Sequence, residues 1–289
     1  MVSIPSSVKH PRLLVPATIL AFTLGPWAFR RHMRRVRKDH PTRWTLWNHF
    51  YAMNWGDTNT NNYGYAPADG LDPQRFQHQL YRELLKLLPE DAPKRRPLEL
   101  LEVSCGRGGG LHALLDAAPD TFDATGLDVA SSAIAHCSRS ETDRLRFVQG
   151  SALDLPFADG SFDVLLNVEA SNDYGDRLRF FEEAARVLRS DGIFLYAESL
   201  KSDGVERAQS ELAAAGFRAT FRDITSNVLE ACRLDSGRRR DVIRRRAPFL
   251  FRLVFTKELE SYAGVEGSSK YRAFADGRRT YVMTAATKE

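Results

Sequence analysis

The stretch Glu102-Val103-Ser104-Cys105-Gly106-Arg107-Gly108-Gly109-Gly110 decides the fold of this 289-residue chain. A mostly apolar run, residues 98–101, precedes it, and an amphipathic run, residues 111–118, follows it. The pattern predicts a buried strand, a glycine-rich turn and the start of a helix, in that order. Glycines in such a turn let the backbone approach a ligand closely, and the helix directs its first N–H groups at that ligand.

A second strand, residues 122–127, is predicted to end at Asp128, 22 residues after Gly106. In nucleotide-binding folds, an acidic residue at about this distance accepts hydrogen bonds from the ribose hydroxyls. The position of Asp128 therefore indicates a ligand that carries a sugar.

Further strands are predicted at residues 145–149, 162–167 and 193–197. The third ends in a turn of small residues that includes Ser151 and Ala152, and the helix before the fifth is expected to close at Gly192. A helix over 204–215, a strand over 217–223 and a last strand over 280–287 complete the pattern. Short strands that alternate with helices predict a parallel sheet covered on both faces.

Two ligand chemistries fit this glycine turn. A dinucleotide fingerprint has the form G-x-G-x-x-G/A, and Gly108, Gly110 and Ala113 fit it, although this register pushes the turn into the helix. The other interpretation is an E/D-x-x-x-G-x-G loop, fitted by Glu102, Gly106 and Gly108. That loop resembles the nucleoside-binding loop of Rossmann-like methyltransferases, where the acidic residue holds the cationic amino acid tail of the ligand.

Over residues 98–200 the order of segments resembles the class I S-adenosylmethionine (SAM) dependent methyltransferases. The phrases LEVSCGRGGG, TGLDVA, LPFADGSFDVLLNVEAS and RVLRSDG are most similar to the phthiotriolone and phenolphthiotriolone dimycocerosate O-methyltransferases. The resemblance implies a Rossmann-like, doubly wound α/β fold with a seven-stranded sheet, mostly parallel with an antiparallel last strand. It also implies methyl transfer from SAM to a hydroxyl of a hydrophobic, lipid-like or polyketide-like small molecule.

The resemblance places a cofactor site at the carboxyl edge of the sheet. The residues assigned to it are Tyr63, Glu102, Ser104, Gly106, Gly108, Asp128, Val129, Ser151, Ala152 and Asn167. Ser151 stands where the family usually has an aspartate that meets the adenine amino group, and a hydroxyl accepts that bond more weakly.

Methylation of a hydroxyl requires a group that takes up its proton. Asn172 stands where the similar enzymes have a histidine, and an amide cannot accept that proton at neutral pH. Asp173 and Glu169, just past the fourth strand, are the candidate bases. Either of them also fits a helix cap or a partner for an arginine.

The chain is divided into residues 1–43, a hydrophobic and basic segment, 44–97, an arm and leading helix, and 98–289, the methyltransferase core. Residues 13–29 carry no charge, and five arginines and Lys38 follow over residues 30–38. This pattern fits a membrane contact through residues 13–38 or a helix packed on the core. The basic flank and the need for SAM predict a cytoplasmic catalytic domain. The arm contains Asn62-Tyr63-Gly64-Tyr65, similar to segments that fold over the cofactor in small-molecule methyltransferases.

Residues 227–276 are predicted to form a helical insertion that roofs the acceptor pocket. Its expected apolar lining is Phe249, Leu250, Phe251, Leu253, Val254 and Phe255, with ordinary core packing as the rival. Its arginines fit either a phosphate-bearing partner or a solvated helix face.

Composition and the remaining alternatives bound the function. Three scattered cysteines without C-x-x-C spacing indicate neither a disulfide framework nor a zinc site, so no metal is predicted. A carbon methyltransferase of sterol-like type, a nucleic-acid methyltransferase and a non-enzymatic membrane protein stay open as rivals. Nucleic acid is disfavoured because no RNA-binding module is recognisable, and no oligomeric state is predicted.

Overall fold

The computed structural model describes residues 47–48, 50–53, 55–89 and 97–288. The predicted segment 1–43, with its uncharged run 13–29 and its basic flank, lies outside the described residues. Among the helices that are described, none is both long enough and apolar enough to cross a membrane.

A single mixed sheet forms the centre of the described structure. Its strands are β1 (Leu98–Val103), β2 (Phe122–Asp128), β3 (Leu145–Gln149), β4 (Phe162–Val168), β5 (Leu188–Lys201), β6 (Phe217–Arg218), β7 (Arg222–Asp223) and β8 (Arg279–Lys288). The helices around it are α1 (Arg75–Leu85), α2 (Gly109–Ala117), α3 (Ser131–Cys137), α4 (Arg177–Val187), α5 (Val205–Ala214), α6 (Thr225–Arg246), α7 (Phe249–Tyr262) and α8 (Ser269–Ala275).

The strand order is β3-β2-β1-β4-β5-β8-β6, and β7 also pairs with β8. Strands β1 to β5 run parallel, whereas β8 runs antiparallel to β5. The predicted Rossmann-like α/β fold with an antiparallel last strand is therefore confirmed, with eight strands in place of seven.

Side chains of successive strand residues enter separate cores on the two faces of the sheet. Leu100 of β1 packs with Leu80 of α1 and Leu111 of α2, while its neighbour Leu101 packs with Phe181 of α4. Because helices cover both faces, a ligand reaches the sheet at the carboxyl ends of its strands. The crevice opens where β1 and β4 are neighbours and the chain order reverses.

The fifth strand is longer than predicted. The helix before it ends at Val187, and the expected closure at Gly192 is wrong. The strand begins at Leu188, which is fully buried and pairs with Phe162 of β4 before the register shifts. Gly192 lies in that irregular stretch of the strand, where a glycine tolerates the bend.

The strand predicted over residues 217–223 is two short strands, which accounts for the eighth strand of the sheet. β6 pairs with the end of β8 and β7 with its middle. Between them Phe221 stacks on Tyr196 of β5, with ring centroids 6.1 Å apart. Packing of this ring onto the core accompanies the break in pairing.

The insertion over residues 227–276 consists of α6, α7 and α8, so its helical character is confirmed. Its predicted apolar lining is wrong at three positions: Phe249 and Leu253 are exposed, and Phe255 is buried away from the cavities of the site. The exposed pair lies on the outer side of α7. The side chains of Leu250, Phe251 and Val254 lie outside the described part of the chain.

Candidate active site

The glycine loop turns the chain sharply between β1 and α2. Ser104, Gly106 and Gly108 have φ angles of 62°, 56° and 77°, in the left-handed region. The Gly106 N–H donates to Oδ2 of Asp128 at 2.9 Å, and the Ala130 N–H donates to Oδ1 at 2.8 Å. The carboxylate at the end of β2 is therefore fixed beside the loop, with lone pairs left for other donors.

A cavity of about 120 Å³, here called the loop cavity, opens beside this turn. The predicted site residues that line it are Ser104, Gly106, Asp128, Val129, Ser151, Ala152, Glu169 and Asp173. Trp47 and Tyr51 of the arm also line it, and they narrow it. Four predicted cofactor residues are not on its wall: Glu102, Gly108, Asn167 and Tyr63.

Glu102 is buried at the end of β1. Its Oε1 accepts a hydrogen bond from the Tyr81 hydroxyl at 2.9 Å, whereas Oε2 has no partner among the described residues. Burial raises the pKa of Glu102 to about 8, against the Tyr81 hydrogen bond, which lowers it. An unpaired buried carboxylate oxygen beside a glycine loop fits a site for a cationic ligand group.

Tyr174 is a site residue that the sequence pattern did not reveal. Its hydroxyl lies 2.7 Å from Oγ of Ser104 and accepts a hydrogen bond from Nδ2 of Asn167 at 2.8 Å. Asn167 also donates to the Val103 carbonyl at 2.9 Å. The predicted cofactor residue Asn167 therefore joins the ends of β1 and β4 from behind the cavity.

A larger cavity of about 960 Å³, the acceptor-side cavity, lies next to the loop cavity. Polar and charged side chains dominate its wall, among them Lys270 and Arg279 from the C-terminal part of the chain. The two cavities share the following wall residues: Trp47, Asn61, Glu169, Asp173, Tyr174 and Gly175. These residues mark the junction at which ligands in the two cavities meet.

Glu169 is held firmly at this junction. Its Oε1 accepts hydrogen bonds from the Tyr63 N–H and the Tyr281 hydroxyl, both at 2.7 Å. Its φ of 50° lies in the left-handed region, which is uncommon for a residue with a side chain. Burial raises the pKa of Glu169 to about 7, although the hydrogen bonds from Tyr281 and Tyr63 lower it.

The other candidate base and the asparagine beside it are placed differently. Asp173 is exposed in a short 3-10 turn, residues 171–173. Asn172 donates to the Ser199 carbonyl at 2.6 Å and so ties this turn to β5. Asn172 therefore makes a structural contact, at the position where the similar enzymes have a histidine.

Tyr63 belongs to the acceptor-side cavity, in contrast to its predicted place at the cofactor. Its ring packs on Phe274 and Tyr281, and its carbonyl accepts a hydrogen bond from the buried Arg239 at 2.6 Å. Arg239 is paired in turn with Asp235 at 2.9 Å. This network fixes the arm, so that the Tyr63 N–H reaches Glu169.

The dinucleotide interpretation fails at Gly110. In that fingerprint the middle glycine leaves room for a pyrophosphate. A Cβ added at Gly110 would lie 2.2 Å from the ring of Tyr81, so a tyrosine of α1 occupies this space. The absence of a side chain at Gly110 serves the packing of α1 on α2.

Comparisons with known proteins agree with this geometry. The profile of the family described as "Methyltransferase domain" matches residues 101–196. The phthiotriol/phenolphthiotriol dimycocerosates methyltransferase of Mycobacterium tuberculosis is 37% identical over 194 residues, 66% of this chain and 70% of the relative. The fatty-acid O-methyltransferase of Mycolicibacterium smegmatis is 36% identical over 198 residues, 66% of this chain and 71% of the relative.

A solved structure shows the same fold. Geranyl diphosphate C-methyltransferase from Streptomyces coelicolor A3(2), determined with S-adenosyl-L-homocysteine bound, matches with a TM-score of 0.60. The match covers 84% of this chain and 98% of that chain at 16% identity.

The chain therefore belongs to the class I SAM-dependent methyltransferases, and within them to the subfamily of the phthiotriol/phenolphthiotriol dimycocerosates methyltransferases. It is an enzyme, and its cofactor is SAM. The family membership predicted from the sequence is confirmed, and the alternative interpretation as a non-enzymatic membrane protein is rejected.

Proposed function

We propose that this enzyme transfers the methyl group of SAM to a hydroxyl of a lipid acceptor, with Glu169 as the general base. One observation carries the proposal: Glu169 lines both cavities at their junction and has a pKa of about 7. Relatives named for lipid methylation support the acceptor class.

The loop cavity is the proposed donor site. Gly106 and Ser104 would face the amino acid part of SAM, Asp128 the ribose, and Ser151 and Ala152 the adenine. When bound, SAM supplies an electrophilic methyl group on a sulfonium. The cationic tail of such a ligand would favour the ionised form of Glu102, whose Oε2 is unpaired among the described residues, and would contact it directly or through a water.

The first part of the arm, which carries Trp47 and Tyr51, would act as a movable cover of the donor site. Ligand pockets of drug-sized molecules measure about 300–1,000 Å³, which exceeds the 120 Å³ of the loop cavity. The Tyr51 hydroxyl lies 3.0 Å from where a Cβ of Gly106 would stand. Cofactor entry therefore requires Trp47 and Tyr51 to withdraw from the loop.

Glu169 fits the base better than Asp173 does. With a pKa of about 7 it is ionised in about half of the molecules at neutral pH, and Tyr63 and Tyr281 fix its Oε1. It would accept the acceptor's proton while the acceptor oxygen bonds to the methyl carbon and the bond from that carbon to the donor sulfur breaks, with its electron pair returning to the sulfur. Most of the acceleration would come from holding these two atoms in line at the junction.

A carboxylate acceptor is the second candidate, and it is favoured by the cations of the acceptor-side cavity. Burial and the nearby Arg279 lower the pKa of Lys270, which indicates an ammonium that lacks solvent. Its Nζ lies 5.9 Å from the ring centre of Tyr63. A carboxylate would bind this cation and would need no base, because its oxygen is already ionised.

Glu169→Gln separates these acceptors. For a hydroxyl acceptor such as a long-chain alcohol, we expect kcat to fall about 10²–10⁴-fold with a much smaller change in SAM affinity. Asp173→Asn, the matched control, should keep kcat within about tenfold. Kinetics with labelled SAM and calorimetric titration of SAM measure both quantities.

Two results would contradict the proposal. If Glu169→Gln keeps its activity on the alcohol while Asp173→Asn loses it, the base is Asp173. If the wild type methylates only a fatty acid, Glu169→Gln is nearly as active, and Lys270→Gln raises KM for that acid, the acceptor is a carboxylate.

A further inference from the structure

The outer side of α7 exposes large apolar side chains. Phe249 is 63% exposed and Leu253 is 67% exposed, although both are hydrophobic. They are four residues apart, so they lie on one face of the helix. The exposed Lys257 follows them beyond the kink at Phe255. A lone exposed apolar residue is ordinary, but adjacent ones rimmed by charge mark an interaction surface.

Basic side chains adjoin this pair at the end of α6. Arg240, Arg244 and Arg245 are exposed there. Residues 240–260 hold six arginines and lysines against three acidic residues. Asp241 is shared between Arg244 and Arg245, at 2.7 and 3.5 Å, and cannot neutralise both.

The apolar and basic parts form one continuous surface. The Arg252 guanidinium donates to the Arg244 carbonyl of α6 and lies 5.8 Å from the ring centre of Phe249. We name the set Arg240, Arg244, Arg245, Phe249, Arg252, Leu253 and Lys257 the α6–α7 corner.

We propose that the α6–α7 corner docks on an anionic lipid bilayer. Phe249 and Leu253 would enter the boundary between head groups and acyl chains, while the arginines meet lipid phosphates. The excess of positive charge selects an anionic surface, and the exposed apolar pair disfavours nucleic acid, whose phosphate backbone is bound through charge.

Under the proposed function, in which the acceptor is a lipid, docking would serve the reaction because of where the corner lies. Tyr262, at the other end of α7, lines the acceptor-side cavity and accepts a hydrogen bond from Asn61 of the arm at 2.5 Å. Helix α7, which is kinked at Phe255, thus connects the corner with the cavity wall. Docking itself is independent of which oxygen is methylated.

Site-specific fluorescence on the full chain tests the docking. Leu253→Cys is labelled with a polarity-sensitive probe, since the three native cysteines are buried. Vesicles of phosphatidylcholine with phosphatidylserine should shift the probe's emission to the blue. Vesicles of phosphatidylcholine alone should do so much less, and added salt should weaken the shift. Leu71→Cys, fully exposed outside the corner, is the control and should not respond.

The charge contribution is tested in the same labelled protein. Arg244→Ser together with Arg245→Ser should reduce the response to anionic vesicles. An unresponsive Leu253 probe would overturn the proposal. So would a blue emission without vesicles, which means cover by another segment or by a second copy, and so would an equal shift with RNA.

Discussion

Four buried carboxyl groups with raised pKa values surround the proposed site of methyl transfer: Glu102, Asp128, Glu169 and Glu198. Burial raises the pKa of Glu102 to about 8, of Glu169 to about 7 and of Asp128 to about 6. The order follows their hydrogen bonds: Asp128 accepts from two backbone N–H groups beside the loop, whereas Glu102 has one tyrosine hydroxyl. Perturbed acids of this kind gather at functional sites.

Tyr281 tunes the proposed base. Its hydroxyl donates to Glu169, a bond that favours the ionised carboxylate, so Tyr281→Phe should raise the pKa of Glu169. We expect the rising limb of the pH profile of kcat/KM to move up by about one pH unit.

The matched control is Tyr196→Phe, which removes a buried tyrosine hydroxyl bonded to Ser171. Its profile should stay in place. A profile of Tyr281→Phe that coincides with the wild type would show that Glu169 does not govern the rate.

At the scale of single residues, the sequence predicted those that stand in the motif itself. Gly106 and Asp128 follow strand ends, and parallel strands bring their carboxyl ends to one edge. Tyr174 and Tyr281 escaped prediction as site residues, because their contacts join segments far apart in the chain. Tyr63, predicted at the cofactor, lines the acceptor-side cavity in the structure, where its backbone N–H reaches Glu169.

At the scale of elements, the packing of α1 on α2 depends on a glycine. Gly110→Ala would bring a Cβ to 2.2 Å from the Tyr81 ring, so we expect a loss of about 1–3 kcal/mol in the free energy of unfolding. In α6, Gly237 has open space around it, and Gly237→Ala should instead stabilise by up to about 1 kcal/mol.

Denaturant unfolding of the two variants measures these opposite effects. Tyr81→Leu in the Gly110→Ala background should recover part of the lost stability, since the clash is removed. Equal stability of Gly110→Ala and the wild type would contradict the packing account.

The element boundaries that the sequence missed have a common physical cause. Residues 98–103 and 122–128 formed strands as predicted, and in each of them all residues but the second are buried. Leu188 belongs to β5 because it pairs with β4. A local sequence pattern holds no information about such a distant pairing partner. Phe249 and Leu253 were predicted to line the acceptor pocket, but the sequence does not indicate which face of α7 is exposed to solvent.

At the scale of the whole molecule, the raised acids predict an unusual pH dependence. Glu102, Asp128 and Glu169 bind protons more tightly when folded than at their ordinary pKa values near 4. Their stabilisation is therefore complete below about pH 4 and is lost as the pH rises through about 6 to 8.

We expect the Tm of the cofactor-free enzyme to fall between about pH 5 and about pH 9. Glu102→Gln keeps an acceptor for Tyr81 and cannot ionise, so it should flatten the upper part of this fall. Scanning fluorimetry across pH measures both proteins. A Tm that rises over this range, or an identical slope in the variant, contradicts the assigned pKa values.

Two cavities joined at Glu169 are the central claim at this scale, and a crystal structure of the enzyme with S-adenosylhomocysteine tests it most directly. We predict the ribose on Asp128, the sulfur towards the junction with Glu169, and Trp47 and Tyr51 displaced from the glycine loop. Ligand bound elsewhere, or a loop cavity still filled by these two side chains at saturating ligand, would contradict the account.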